Sequence, residues 1–315
     1  MSTQTSSPSF WSTLSPLSRA GLVAYLLVIV WAVVLYPGFT EGDASATDVL
    51  IISWNAMNDY EHGWMVPLIS LYMLVHSWRK ASAESRCGSL HGLWFIVLGA
   101  LFFILSIRTQ QWRIAIGGLP FMLTGGIWYY WGHRTAMRCL FPLFFLWMSI
   151  PVPGFQQATN GMQLLATQAA HWGAGVCGVD TVVEGTTITI TSGECDSFNI
   201  AGGCSGMRSL MALIMLSFAW GYMADKLLLW KRVTLALSAI PLAIAANAFR
   251  VASIFICAQY INPAFASKTW HDWSGLLFFF PASLLGLILL HGLLAGEIPF
   301  LKRRKTIIRT QTTAN

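Results

Sequence analysis

The sequence predicts an all-α polytopic membrane protein, with about eight transmembrane helices and a small extracytoplasmic cap that contains β-structure. Charged residues make up only 10% of the 315 residues, whereas a soluble domain carries about 25%. Apolar residues make up 55%, with 15 Trp and 19 Phe, and the mean hydropathy is +0.59. So few charges cannot cover a soluble surface. The composition therefore excludes soluble, disordered, collagen-like and small disulfide-rich proteins.

Eight apolar segments approach the length that a bilayer requires of a helix, which is about 17 to 25 residues. They comprise residues 21–36, 63–78, 90–106, 114–131, 137–152, 205–223, 233–260 and 273–294. We therefore predict a cytoplasmic N-terminal tail at 1–20, an integral membrane domain at 21–300 and a basic cytoplasmic tail at 301–315.

The distribution of basic residues predicts the orientation. With eight spans, 14 of the 19 Lys and Arg residues fall in the two termini and the loops on their side, and only Arg108, Arg113 and Lys268 fall on the other. Because cytoplasmic loops are enriched in Lys and Arg, both termini are expected in the cytoplasm. The cluster KRRK at 302–305 directly follows the last span. We interpret it as an anchor at the lipid surface, with no nucleic-acid partner.

Residues 154–203 form the one sizeable extracytoplasmic segment. Apolar side chains recur at helical spacing over 157–172, which is typical of an interfacial helix. TVVEGTTITI at 181–190 is β-branched around a central Glu-Gly, which predicts two strands and a turn. Cys177 and Cys195 also lie here, where oxidation allows a disulfide. Their pairing would leave Cys204 as a free thiol.

Ionisable and nucleophilic residues within spans are costly, and they therefore mark candidate sites. Cys204 opens the sixth span in GGCSGMRS, near a helix N-terminus whose dipole lowers the pKa of a thiol. Arg208 follows one turn later on the same face and adds positive charge. The structural alternative is a small apolar Cys in a Gly/Ser packing motif.

Arg250 and His271 are the other two candidates. Arg250 lies inside the seventh span in NAFRVASIF, with Asn247 three residues earlier on the same face. A guanidinium there requires a partner or a water-filled cavity, unless it snorkels outward. His271 precedes the eighth span in TWHDWSG, where the alternative is an interfacial His in a Trp belt. His62, before the second span, is also expected outside.

The predicted topology brings Cys204, Arg250 and His271 to one outer surface, although they come from three different spans. These residue types together supply thiol acyl transfer. The thiolate is the nucleophile, the His is its acid and base, and the Arg stabilises the oxyanion or orients the carbonyl.

At these residues the chain resembles the exosortase/archaeosortase family of membrane transpeptidases. The matching stretches are YEHGWMVPLIS at 60–70, CSGMRS at 204–209, NAFRV at 247–251 and HDWSG at 271–275. The resemblance covers most of the chain and implies a catalytic triad of Cys204, Arg250 and His271. It implies supporting roles for Arg208, Asn247 and His62. Glu61 stands where the family often has a small polar residue.

The resemblance implies a cysteine-dependent peptidase or transpeptidase that needs no metal and no cofactor. Its substrates would be exported proteins with a PEP-CTERM-like sorting signal, which combines a short signature, an apolar helix and a basic tail. Cleavage would occur at the outer face of the inner membrane of a bacterial cell, through a thioacyl intermediate. An amine acceptor and the lipid bilayer would be the other partners.

Two other classes of function remain as alternatives to this one. A multi-span transporter with Arg250 in the substrate path is the main alternative, although the sequence contains no internal repeat or matched pair of broken helices. A membrane metalloprotease is disfavoured, because no HExxH motif occurs and the His residues lack ligand spacing.

Overall fold

The structure, a computed structural model, describes residues 14–39, 42–55, 60–81, 87–151, 160–191, 207–275, 277 and 280–296. Its helices are α1 (Pro16–Val30), α2 (Ala46–Ser53), α3 (Met65–Ala81), α4 (Gly92–Thr109), α5 (Trp112–Trp131), α6 (His133–Phe144), α7 (Asn160–Val176), α8 (Met207–Met223), α9 (Leu229–Leu237), α10 (Ala239–Tyr260), α11 (His271–Ser274) and α12 (Phe280–Ala295). The strands are β1 (Thr181–Glu184) and β2 (Thr187–Ile190), and short π- or 3-10 segments cover Trp31–Leu35, Glu61–Trp64, Phe145–Ser149 and Phe265–Trp270. The prediction of a mostly helical protein with a small sheet is confirmed.

Three helical stretches among the described residues are long and apolar enough to cross a membrane. They are Pro16–Leu35, Gly92–Thr109 and Leu229–Tyr260, and two shorter apolar helices are Met211–Met223 and Phe280–Ala295. Helices α3, α5 and α6 also lie on predicted spans, but they do not qualify by length and hydropathy. Gly, Pro and Tyr residues lower the mean hydropathy of α5, and basic residues in the first turns lower that of α6. The expected count of eight spans is therefore not confirmed and stays a prediction.

The chain forms two compact units, Met1–Gly161 and Met162–Asn315. In the first unit, α4 and α5 form an antiparallel hairpin whose backbones are in direct contact. Gly92 faces Gly125 and Gly99 faces Gly118: a Cβ added to Gly125 would lie 2.8 Å from the Gly92 carbonyl oxygen, and one added to Gly99 would lie 3.0 Å from that of Gly118. Small residues let helices approach closely where lipid gives no hydrophobic drive for association.

In the second unit, the predicted hairpin and interfacial helix form one cap. β1 and β2 pair antiparallel, with Thr181 opposite Ile190. Gly185 takes φ +63 in the two-residue turn, a conformation that favours glycine. The His171 ring joins α7 to β1, because its Nδ1 lies 2.6 Å from the Thr181 hydroxyl.

The cap packs against the C-terminal half of α10. One apolar core contains cap residues Ala170, Ala174, Val179, Ile188 and Ile190, residues Val251, Ala252, Ile254, Phe255, Cys257 and Ala258 of α10, and Ala266. The Tyr260 hydroxyl donates a hydrogen bond to the carbonyl oxygen of Cys177 at 2.9 Å. Burial of this apolar surface holds in place the helix that carries Arg250.

Candidate functional site

The sequence-predicted site residues are divided between the described and the undescribed parts of the chain. Arg250, Asn247 and His271 are described and belong to the second unit. Cys204 lies outside the described residues. Arg208 lies in the first turn of α8, and its side chain is outside the described part.

A hydrogen bond joins Arg250 to His271. Arg250 Nη2 donates to the backbone oxygen of His271 at 3.0 Å. The guanidinium lies over Gly275, where an added Cβ would be 3.4 Å from its Cζ. Arg250 Nε is buried and has no hydrogen-bond partner among the described residues. Leaving a buried N–H unpaired is costly, and so this donor is suited to an oxyanion or carboxylate that enters the site.

A second hydrogen bond joins α10 to the segment before His271, and here α10 carries the acceptor instead of the donor. Trp270 Nε1 donates to Ser253 Oγ at 3.0 Å, and Ser253 Oγ donates to the carbonyl oxygen of Arg250 at 2.7 Å. Ser253 and Trp270 therefore fix the backbone on both sides of the site. We call α10 together with residues 265–275 the α10–α11 corner.

The His271 imidazole has a carboxylate neighbour within the corner. It is the first residue of α11, and its Nδ1 lies 3.0 Å from Asp272 Oδ1. The His271 side chain is 30% exposed and that of Asp272 is 67% exposed. A proton on Nδ1 donated to this carboxylate leaves Nε2 as the basic nitrogen. Sequence reasoning missed Asp272 as a partner, although it directly follows His271.

A narrow cleft lies beside Arg250, with a cavity volume of only about 20 Å³. Its walls come from α8, α10 and α12, with the residues Leu213, Ala243, Ala246, Asn247, Arg250, Phe280 and Ser283. Asn247 and Arg250 share one face of α10, as their spacing predicted. Because α8 begins at Met207 and contributes Leu213, the helix that follows Cys204 packs beside Arg250.

The other described cysteines differ in exposure. Cys139 and Cys257 are buried, whereas Cys87 and Cys177 are exposed. Cys177 is a free thiol. Cys195 lies outside the described residues, and the Cys177–Cys195 disulfide stays a prediction. Over the described ranges, no group of three or more His, Cys, Asp or Glu residues could hold a metal ion.

His62 belongs to the first unit, where it behaves as a packing residue. It is 7% exposed, and its ring lies 5.1 Å from that of Tyr60. Burial lowers the pKa of His62 below its ordinary value, and the Glu61 carboxylate opposes this shift. The neutral imidazole is therefore favoured in the folded state. The supporting catalytic role of His62 stays a prediction.

Comparison with known protein families identifies a match to this chain. A family model described as Transmembrane exosortase (Exosortase_EpsH) matches residues 54–289, which is more than half of the 315-residue chain. The matched range includes Cys204, Arg250 and His271. No curated protein and no solved structure matches the chain.

Proposed function

The chain belongs to the transmembrane exosortase family, and from this premise we propose that it is a cysteine transpeptidase that processes exported proteins. Its substrates carry a C-terminal sorting signal made of a short signature, an apolar helix and a basic tail. Cleavage takes place at the outer face of the bacterial inner membrane, and both termini of the enzyme are cytoplasmic. The 14-to-3 asymmetry of basic residues supports this orientation.

In the proposed reaction, the Cys204 thiolate attacks the carbonyl carbon of the scissile peptide bond, and Arg250 hydrogen-bonds the oxyanion. Protonated His271 then gives its proton to the leaving amine of the sorting tail, which breaks the C–N bond and leaves a thioester on Cys204. Neutral His271 next takes a proton from the amine acceptor as that amine attacks the thioester. The new amide forms and the thiolate returns.

The observation that carries this proposal is the 3.0 Å hydrogen bond from Arg250 Nη2 to the His271 carbonyl. It holds the guanidinium beside the residue proposed as acid and base. Arg250 Nε, buried and without an acceptor among the described residues, supports a role toward a substrate oxygen. Asp272, at 3.0 Å from His271 Nδ1, supports Nε2 as the nitrogen that exchanges the proton.

The test is co-expression with an exported reporter that ends in an apolar helix and a basic tail. We expect mass spectrometry to find a new C-terminus on the reporter. Without an acceptor amine, a reporter–Cys204 thioester should accumulate, and hydroxylamine should release it. Cys204→Ala should abolish both the adduct and the cleavage.

The exposed thiols supply the matched controls. Cys177→Ala and Cys87→Ala remove accessible cysteines and should leave cleavage and adduct intact. Cleavage that persists in Cys204→Ala would refute the nucleophile assignment. Uptake of a small molecule that depends on Arg250, with no processing of any tailed reporter, would favour a transporter instead.

A further inference from the structure

The first unit contains an apolar cavity of about 450 Å³ that is separate from the site described above. Four helices line it: α1, α3, α5 and α6. Along α5 it extends from Leu123 to Trp131, which is about 12 Å at the helical rise per residue. Its volume falls within the range of small-molecule sites, about 300 to 1,000 Å³.

The cavity wall is apolar because its polar groups are already engaged or point away. The Tyr25 hydroxyl donates to the Met122 carbonyl oxygen at 2.7 Å, so that only its ring faces the cavity. Trp78 and Trp131 pack edge to face at 5.1 Å between ring centroids. The surface exposed within the cavity is apolar throughout, although Arg79 contributes to its wall. Arg79 therefore lines it with its aliphatic stem and extends its charged end beyond.

Basic groups gather where the cavity meets the end of α3. Arg79 and Lys80 occupy the last turn of this helix. Arg138 Nη1 donates to the carbonyl oxygen of Lys80 at 2.9 Å and so brings a second guanidinium to the same helix end. These cations also favour the negative end of the α3 dipole, a purely structural role that a binding measurement separates from a ligand site.

We propose that this cavity holds an acyl chain of an anionic glycerophospholipid, with the lipid phosphate against Arg79. An apolar space about 12 Å long suits a chain of methylenes. A guanidinium at its mouth suits a phosphate, which it binds through two parallel hydrogen bonds. The basic end of α3 is predicted to face the cytoplasm, where anionic lipid headgroups attract Lys and Arg.

Charge argues against the main competing occupant, an apolar peptide helix with a basic end. Such a helix would place its cations beside Arg79, Lys80 and Arg138, where like charges repel. The lipid proposal does not depend on the identity of the nucleophile, because the cavity belongs to the first unit.

The test is native mass spectrometry of the delipidated full-length protein with two lipids of identical chains, phosphatidylglycerol and phosphatidylcholine. We expect one phosphatidylglycerol to be retained, at least about ten-fold in preference to phosphatidylcholine. Equal retention of the two lipids by the wild-type protein overturns the proposal, and this result does not depend on any variant folding.

Variants locate the two parts of the site. Arg79→Gln should abolish the preference for phosphatidylglycerol, whereas Lys226→Gln, an exposed cation of the other unit, should keep it. Val75→Trp should fill the cavity and remove retention of both lipids. Its control is Val97→Trp on α4, which adds the same bulk to a half-exposed position that does not line the cavity.

Three further outcomes would contradict the proposal. The first is an unchanged lipid preference in a folded, monodisperse Arg79→Gln protein. The second is displacement of bound phosphatidylglycerol by glycerol phosphate, which lacks acyl chains. The third is its one-for-one displacement by an apolar peptide with a basic end, which would assign the cavity to a peptide helix.

Discussion

Two pairs of helical segments are held together by opposite means. The α4–α5 hairpin relies on backbone contact between facing glycines. The α10–α11 corner relies on hydrogen bonds through Arg250, Ser253 and Trp270. Glycine alone suffices where helices need only to pack. A guanidinium whose buried N–H has no hydrogen-bond partner among the described residues is an expensive way to join helices, which supports the role proposed for Arg250 toward a substrate oxygen.

The largest expected effect tests whether Arg250 serves chemistry. Arg250→Lys keeps the charge but loses the planar fork. If the guanidinium binds an oxyanion, cleavage of a tailed reporter should fall on the order of 10²-fold or more, while the thermal unfolding midpoint changes little. The cleavage rate measured in membranes tests the first expectation, and the unfolding midpoint measured in detergent tests the second. Near-normal turnover in the Lys variant would reduce Arg250 to a structural charge.

The next effect tests the hairpin through two glycines of α5. A Cβ on Gly125 would lie 2.7 Å from the backbone nitrogen of Ile96, whereas one on Gly117 would meet nothing within 4 Å. Gly125→Ala should therefore lower the free energy of unfolding by about 1–3 kcal/mol. Gly117→Ala should raise it by roughly 0.5–1 kcal/mol, because Ala favours the helix. Reversible unfolding in detergent measures both, and equal effects would disprove close backbone packing at Gly125.

A smaller effect is expected at Ser253, which acts through Arg250 and is a positioning residue. Ser253→Ala removes the acceptor of Trp270 Nε1 and the donor to the Arg250 carbonyl. Loss of such bonds costs about 1–3 kcal/mol, and we expect about a ten-fold fall in kcat with little change in KM. Ser253→Thr, which keeps the hydroxyl, should restore most of the activity.

Ser267 offers the matched control for Ser253. It lies exposed in the Phe265–Trp270 turn and contacts only the carbonyl of Ala264 among the hydrogen bonds described, at 3.3 Å. Ser267→Ala should leave kcat unchanged. A fall in unfolding free energy without a fall in kcat in Ser253→Ala would assign that serine to stability alone.

The sequence predicted elements whose cause is local. The hairpin at 181–190 followed from its β-branched residues and its Glu-Gly turn, and its strands occupy Thr181–Glu184 and Thr187–Ile190. Apolar segments of the sequence predicted where many of the helices lie, because burial in lipid or in protein favours apolar side chains on a helix. The prediction that Arg250 and His271 lie near the same surface came from the predicted topology and the family resemblance, not from either residue alone.

What sequence reasoning missed depends on non-local geometry. The link from Trp270 to Ser253 requires the π-helical turn Phe265–Trp270, and nothing in FASKTW marks such a turn. The facing glycines of α4 and α5 repeat every seven residues. This spacing can be recognised in the sequence, but it does not show which helix packs against which. The sequence does not mark Asp272 as the partner of His271, because the 3.0 Å distance between them depends on side-chain conformation.

The smallest expected effect concerns pH, and it again separates packing from chemistry. His62 lies before α3 in the first unit, and burial holds its pKa below the ordinary 6.5. Below pH 6.5 the unfolded chain binds a proton that the folded chain does not, so the free energy of unfolding should fall as the pH falls toward the folded-state pKa. Above pH 6.5 the His62 imidazole is neutral in both the folded and the unfolded state, and the effect vanishes.

Unfolding measured from pH 7.5 to 5 should show this slope in the wild type and a weaker slope in His62→Phe. A slope of unchanged size in His62→Phe would contradict the assignment. If His62→Phe instead keeps its stability but loses cleavage at pH 7.5, His62 takes part in the reaction, and its assignment to packing alone is wrong.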